Sequence, residues 1–548
     1  MILPVTNARN SQAILIGAAA WGLIAWGAFS PTAGRGDDAV ADRQPKLASG
    51  GDLFAGGGVR HLRLEVPPDE LAGLRRDSRR YVRATVREGK ESYGNVGVHL
   101  KGRTGSFRGI DGKPSLTLNF GRFTFDQRFH GLRKIHLNNS VEDPSYLNEY
   151  LGGEIFRAAD VPAPRVAFAL VELNGRKLGL YTLKEGFTED FLKLYFQHTN
   201  GNLYETGTDP ESHDVNGPMK RSLGEGSNDR ADLRALAAAA QEPDLARRWQ
   251  QLEQVLDVGR FVSFMAAEVL ICHRDGYCLA RNNFRIYHDV ETDKLMFLPQ
   301  GMDNLLGRPD LTWQPRMAGL VAKAVWEVPE GRRRYRERIG VLLTNVFKVA
   351  ELTDRVNQLV AQIRPALNWR AARELEQQAS VVKERIAQRA LELGKQLSEP
   401  EPRPVPFEND IAKPTGWRIV DKPAGGRLEQ CRALDGRAAL RITAGPVTAA
   451  SWRAKVLLAA GRYRFEGLAT TAGVIPLKFG KSKGARLRVS GLEASPSHEL
   501  IGDSTWQPLA VEFAVGPGAE EVELICELRA SKGEVWFDLA SLRLVRLK

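Results

Sequence analysis

Cysteine is scarce: four in 548 residues. A disulfide-stapled scaffold needs a far denser set, so the fold must rest on apolar cores. Metal-ligand spacing is missing as well. No Cys-x-x-Cys or His-Glu-x-x-His occurs, and His130, His136, His198 and His213 stand at no ligand spacing to cysteines or acids. That excludes the common structural zinc patterns. Apart from one N-terminal stretch there is no long apolar run, which excludes a polytopic membrane protein. No internal repeat is visible. What is present is ordinary globular composition, 43% apolar and 26% charged, which excludes a disordered tail protein or a collagen-like fibre. The length implies about two to four domains. The net charge of +11 calls for an anionic partner, whether nucleic acid, phosphate ligand, membrane surface or acidic polymer. No RNA- or DNA-binding module pattern occurs, which removes nucleic acid.

Arg9 precedes an apolar stretch from Ala13 to Phe29, broken by Pro31 and Gly34. Its length lies between a signal-peptide core and a spanning helix. Residues 1–34 therefore read as a signal peptide or a single N-terminal membrane anchor. The body is then exported to a periplasmic, cell-envelope or extracellular place. Residues 35–58 read as a linker. Export permits disulfides: Cys431 and Cys526 either form a bridge or are two core thiols.

From Val59 the chain alternates apolar and polar residues, which predicts strands at 59–66, 81–86, 96–100, 115–120 and 134–137. A short helix is expected around 68–76. Residues 102–112 form a basic, glycine-rich loop. Asp143-Pro144-Ser145 is expected to cap a helix reaching about Ala159. Asn174-Gly175 between 165–173 and 178–184 predicts a tight hairpin. Helices are predicted at 231–241, 243–256, with Pro243 as its first residue, and 259–271. Strands follow at 284–288 and 295–299, then helices from 328 to 396. Pro400, Pro402, Pro404, Pro406 and Pro414 mark a semi-rigid linker over 397–414. Short strands with turns between them then predict an antiparallel β-sandwich of jelly-roll type over 415–548. In that domain Trp452, Tyr463, Trp506, Trp536 and Phe537 are either core or a sugar-stacking surface. The fold class is thus α+β, a two-lobed body followed by a β-sandwich.

The densest polar set in an apolar context runs from Cys272-His273-Arg274-Asp275-Gly276-Tyr277 through Asn282-Asn283 to Pro299-Gln300-Gly301-Met302-Asp303. Phosphoryl transfer uses such a set. One carboxylate accepts the proton of the attacking hydroxyl, and an amide oxygen and a second carboxylate hold a divalent metal on the phosphates. Asp275 is then the base, Asn282 or Asn283 the amide ligand, and Asp303 the second carboxylate, carried back beside Asn282 by a hairpin. Backbone N–H groups and cations of Lys101-Gly102-Arg103, Ser106 and Lys113 suit phosphates.

These residues resemble the CotH-type kinase family. The likeness lies in Asp275-Gly276-Tyr277, in Asn282-Asn283-Phe284-Arg285-Ile286-Tyr287-His288-Asp289 and in Pro299-Gln300-Gly301-Met302-Asp303. Upstream it continues through 96–105, 113–115, 131–139, 143–146, 173–175 and 179–181, so that it covers about 59–395. Arg274 stands where the family commonly has tryptophan. The resemblance implies an atypical protein kinase over 59–396, with an N-lobe at about 59–190 and a C-lobe at about 191–396. It implies ATP, Mg²⁺ or Mn²⁺, and a protein substrate. Within it Lys113 is the leading phosphate lysine and Lys101 the alternative. Glu149 or Glu154 pairs with that lysine, and Glu185 lies at the adenine edge or caps the helix at Thr188. Val535-Trp536-Phe537-Asp538 resembles the closing strand of carbohydrate-binding-module-like sandwiches, which implies a polysaccharide partner. Two other readings remain: a catalytically silent envelope scaffold or adhesin, and a wall hydrolase using Asp275 and Asp303 as paired carboxylates.

Overall fold

A computed structural model describes residues 49–547 apart from 56, 104, 207–213, 226–227, 401–402, 421–424, 434, 478–482 and 491–497. The N-terminal segment read as a signal peptide or anchor lies outside the described residues, as does most of the linker after it. The end of that linker is not a linker: Gly51–Phe54 (α1) form a helical turn whose Leu53 is buried in the first core.

Seven strands then close a barrel in the order β1-β2-β3-β4-β5-β7-β6. They are β1 (Arg60–Glu65), β2 (Val82–Glu88), β3 (Glu91–Lys101), β4 (Ser115–Asn119), β5 (Lys134–Asn138), β6 (Val166–Leu173) and β7 (Arg176–Glu185). A short helix, α2 (Pro68–Arg76), links β1 to β2. The period of two puts one set of side chains inside: Leu62, Val98, Leu116, Leu137 and Leu183 share one core. The other set faces out. His99, Thr117, His136 and Lys184 are successive register partners across β3, β4, β5 and β7, so they form one polar row on the outer wall. The Asn174-Gly175 turn is as the sequence predicts. Both residues have positive φ (47° and 78°), as a two-residue hairpin of this hand requires.

The remainder of the first large body is mostly helical: α3 (Asn148–Ala158), α4 (Glu189–Leu192), α5 (Ala231–Gln241), α6 (Leu245–Val255), α7 (Val258–Leu270), α8 (Tyr277–Ala280), α9 (Leu320–Glu327), α10 (Pro329–Asn345), α11 (Val349–Ile363) and α12 (Trp369–Ser398). Two starts differ from the sequence reading. The carboxylate of Asp143 does accept the Asn148 N–H, at 2.9 Å, but from a turn ahead of the helix, which begins only at Asn148. Pro243 precedes α6 rather than opening it, because Asp244 takes the cap and accepts the Arg247 N–H at 2.8 Å. Helix α7 is buried nearly all round and is the axis of this part. The guanidinium of Arg389, fully buried on α12, donates to the carbonyls of Val269 and Leu270 at its C-terminus, where a cation is favoured. A four-stranded sheet, β11-β10-β8-β9, packs beside it. Its strands are β8 (Leu203–Glu205), β9 (Lys220–Leu223), β10 (Phe284–Asp289) and β11 (Lys294–Pro299).

The proline-rich stretch is not a free spacer over its whole length. α12 runs to Ser398, the Val405 N–H donates to Leu457 O at 2.9 Å, and Phe407 lies 5.5 Å from Tyr463 in the second core. There the strands β12 (Ile411–Ala412), β13 (Arg418–Val420), β14 (Arg427–Arg432), β15 (Ala438–Thr443), β16 (Thr448–Pro476), β17 (Gly484–Ser490), β18 (Gly502–Asp538) and β19 (Arg543–Leu547) form one eight-stranded sheet around that core. Trp452, Tyr463 and Phe537 are core; Trp506 and Trp536 are only partly buried. Arg316 meets Glu520 of this sheet at 3.1 Å. The 431–526 bridge is not formed: all four cysteines are free. Cys431 lies opposite Ala439 on β15, and β15 itself separates β14 from β18.

Candidate active site

The helix-to-strand connection after α7 is built around one buried carboxylate. Glu268, fully buried, accepts the N–H groups of Tyr277 at 2.9 Å and Cys278 at 2.7 Å, which are the open donors of α8. Gly276 lies so close that a Cβ there would stand 2.4 Å from the Glu268 carboxylate. Tyr277 turns inward among Phe261, Phe284 and Phe297, and its hydroxyl donates to Asp214 at 2.9 Å. Glycine and tyrosine in Asp-Gly-Tyr are thus structural, and together they leave Asp275 at the exposed end of the turn.

Both asparagines converge on Asp275. Asn282 Nδ2 donates to its Oδ2 at 3.0 Å and Asn283 Nδ2 at 2.8 Å; Asn283 Nδ2 also lies 3.1 Å from its carbonyl. Two amides on one oxygen fix the carboxylate's orientation. His273, fully buried, sits behind the turn. Its Nε2 is 3.1 Å from Gly301 O and its Nδ1 3.6 Å from Glu268. Burial alone would lower the imidazole's pKa, but the Glu268 carboxylate outweighs it, with help from the Gly301 carbonyl and Asp275, and raises it. Through its contact with Gly301 O, His273 ties the Asp275 turn to the Gly301-Met302-Asp303 turn.

The hairpin brings the turn before Asp303 back to the asparagines, the Gln300 N–H donating to Asn283 O at 3.0 Å. The Asp303 carbonyl accepts from Asn148 Nδ2 at 3.0 Å, and the charged neighbours of Asp303 are Glu149, Glu142 and Lys184. Burial first, then Glu149 and Glu142, raise its carboxyl to about 7. The lysine–glutamate pair expected on α3 is present with a different lysine. Lys184 Nζ, on the outer row of β7, lies 2.9 Å from Glu149, both side chains almost wholly buried. Asn138 extends the network: it accepts from Lys101 Nζ at 2.7 Å and donates to Glu149 at 3.3 Å. Burial, followed by the Lys184 charge, lowers Lys101 to about 8. Glu154 instead meets Arg355 at 3.0 Å.

Lys101-Gly102-Arg103 and Ser106 lie on the same side. Ser106 Oγ accepts the Arg103 N–H at 3.3 Å. Arg103 stands within electrostatic reach of Asp275. A Cβ on Gly105 would meet the Glu142 carboxylate, so the loop lies over the acidic end of the site. Lys113 is elsewhere: its Nζ lies 3.1 Å from Tyr146 Oη and 5.1 Å from the centre of the Tyr181 ring. Glu185 does not cap the helix at Thr188. It is fully buried, and its two oxygens take Arg165 Nε at 3.0 Å and Nη2 at 2.7 Å. Among the described residues no group of three or more His, Cys, Asp or Glu could by itself hold a metal. The three roles that sequence reasoning missed are those of Lys184, Glu268 and Glu142. For Lys184 the available signal was its place on the polar parity of the otherwise apolar β7.

Comparison with known proteins agrees with the motif reading. The chain is 23% identical over 255 residues to the inner spore coat protein H of Bacillus subtilis, covering 43% of this chain and 69% of that protein. It is 24% identical over 347 residues to invasin CotH2 of Rhizopus delemar, covering 57% of this chain and 55% of that one. Among solved structures, TmCBM61 in complex with beta-1,4-galactotriose is 17% identical, covering 25% of this chain and 91% of that chain with a TM-score of 0.19. The proinflammatory kinase CtkA of Helicobacter pylori is 10% identical, covering 54% of this chain and 97% of that chain with a TM-score of 0.24. The model of the family described as CotH kinase protein matches residues 98–391, more than half of the sequence, and the chain belongs to that family.

Proposed function

We propose that this chain is an exported, ATP-dependent kinase that moves the γ-phosphoryl group of ATP to a hydroxyl of a protein substrate or of itself. The observation that supports this reading most is the meeting of the buried Lys184–Glu149 pair with Asp303 on the side of the barrel that also carries Lys101 and the 102–106 loop. Asp275, its Oδ2 held by two amides, presents Oδ1 to the acceptor hydroxyl and takes its proton as oxygen bonds to the γ-phosphorus. The bond to the β-phosphate oxygen breaks, and ADP leaves. Lys184, oriented by Glu149, and Lys101 with the loop amides hold the phosphates and offset their charge. The negative charge of Glu149 and Glu142 near Asp303 is an excess that a cation would offset, and Asp303 with the amide oxygen of Asn282 or Asn283 would hold Mg²⁺ or Mn²⁺, which would neutralise phosphate charge when bound. The names of the two relatives, spore coat protein and invasin, support a surface or exported location.

Purified full-length chain with γ-labelled ATP and Mg²⁺ or Mn²⁺ is expected to incorporate label into itself or a generic protein acceptor. Lys184→Met is expected to lower the rate at least about 100-fold, the scale of losing one preorganised charged donor. Equal labelling by the two proteins would remove the lysine assignment. Absence of both labelling and metal-dependent thermal stabilisation by ATP would favour the silent-scaffold reading, to which Arg274 and the seven- and eight-residue gaps from Asp275 to the asparagines also point.

A polysaccharide partner of the β-sheet domain is a separate proposal. Register pairs Thr470 of β16 with Trp536 and Ala469 with Gln507, which sets Trp506 and Trp536, near the two ends of β18, beside the same short stretch of β16. Double replacement of Trp506 and Trp536 by alanine is expected to abolish retention on insoluble polysaccharide; undiminished retention, or none by the wild type, would refute it.

A further inference from the structure

A cavity apart from the candidate active site holds about 1000 Å³ between the barrel wall at β1, β6 and β7, the 139–146 segment and the junction of α11 with α12. None of Asp275, Asn282, Lys184 or Asp303 lines it. Its volume is that of a small-molecule site. Lys113 projects onto it, and no described carboxylate lies within ion-pair distance of that ammonium. Its polar contact is Tyr146 Oη at 3.1 Å, and the rings of Tyr146 and Tyr181 stand 5.2 and 5.1 Å away. Burial lowers Lys113 to about 8.

Such a cation is under-compensated. Ring faces attract it, but they replace only part of what water supplied. The ammonium donates to the tyrosine oxygen, which leaves two of its own N–H groups and the tyrosine O–H for an acceptor. Leu178 and Leu180 from β7, and Leu367 and Leu375 from the helix junction, give the cavity an apolar stretch of wall. His61, Arg63, Glu172, Lys177 and Glu374 also line the cavity, but His61, Arg63, Lys177 and Glu374 are exposed at its rim, and Glu172 stands between Arg63 and Lys177 in the sheet register. Inside that rim the cation is Lys113, and with the Tyr146 hydroxyl it matches a single carboxylate.

We propose that this cavity binds a small amphipathic monocarboxylate, its head on Lys113 and Tyr146 and its apolar body along Leu178, Leu180, Leu367 and Leu375. Occupation would reach the candidate active site through short links. Asn139 Nδ2 donates to Ser106 O at 3.0 Å and to Lys113 O at 2.9 Å, so it staples both arms of the glycine-rich loop. Tyr146 lies two residues before Asn148, which donates to Asp303 O. Regulation of phosphoryl transfer by the ligand rests on the kinase reading; binding does not.

The test is titration calorimetry of decanoate into the full-length chain without ATP, so that failure of this proposal is separable from failure of the kinase assignment. Decanoate is expected to bind at least tenfold more tightly than decanol. Lys113→Met should lose at least tenfold in decanoate affinity while melting no lower than wild type, because it removes a buried unpaired charge. Ala371→Leu, which keeps the lysine and fills part of the cavity, should also weaken decanoate. Equal binding of decanol and decanoate, binding by Lys113→Met within twofold of wild type, or no binding of decanoate by the wild type would each overturn the proposal.

Discussion

Asp303→Asn is expected to abolish phosphate transfer and, in the same protein, to raise the melting temperature at pH 8. The two effects share one cause. Asp303 is largely desolvated and faces Glu149 and Glu142, which raise its carboxyl from the ordinary 3.8 to about 7. Its proton is therefore held more tightly in the native state than in the unfolded chain. The penalty is absent below the unfolded pKa, grows as pH rises between roughly 4 and 7, and is complete above the folded pKa. Three pKa units correspond to at most about 4 kcal/mol, and residual solvent contact reduces the realised gain to about 1–2 kcal/mol. Asparagine removes the penalty. Differential scanning at pH 4 and pH 8 should show near-equal melting at the lower pH and a rise of several degrees at the higher. Labelling should fall by about 1000-fold or more, since a single essential electrostatic contact is worth this much in water-poor sites. A protein that keeps its labelling, or that gains no stability at pH 8, would show that Asp303 is not the strained carboxylate of the site.

Glu268→Ala is expected to produce the largest loss of stability in the chain, about 3–5 kcal/mol by urea unfolding, the scale for breaking a buried charged pair. Two N–H groups at the start of α8 lose their acceptor, each at about 1–3 kcal/mol when left unmet. His273 loses the carboxylate 3.6 Å from its Nδ1. Labelling should fall with it, because His273 links the Asp275 turn to the Asp303 turn through Gly301. Glu268→Gln, which keeps one acceptor oxygen, should fall between. A Glu268→Ala protein within about 1 kcal/mol of wild type would mean that the Asp275 turn is held from elsewhere.

Legibility differed from element to element for physical reasons. Strand alternation and the Asn174-Gly175 turn depend on neighbours in sequence, so the barrel strands stood out. Barrel closure did not, because it rests on the parallel pairing of β1 with β6, more than 100 residues apart. Asp275, Asn282 and Asn283 lie within nine residues, and the short loop brings the three together. Lys113 and Lys101 stand out over Lys184 in the sequence because a glycine-rich basic loop is conspicuous there. A lone lysine in a strand acquires meaning only when its partner is known. Glu185, one residue on, lies opposite Ile135 while Lys184 lies opposite His136; a shift of one residue along the strand exchanges an Arg165 pair for a Glu149 pair.

The sequence by itself determined the residue types, the local turns and membership of the family, because these rest on spacing over a few residues. Only the tertiary structure decided which lysine meets Glu149, that Asp303 faces two other carboxylates, that Lys113 belongs to a separate cavity and that the four cysteines stay free. Each depends on strand register and helix docking. Those bring together groups tens to hundreds of residues apart, and burial then fixes how strongly they interact.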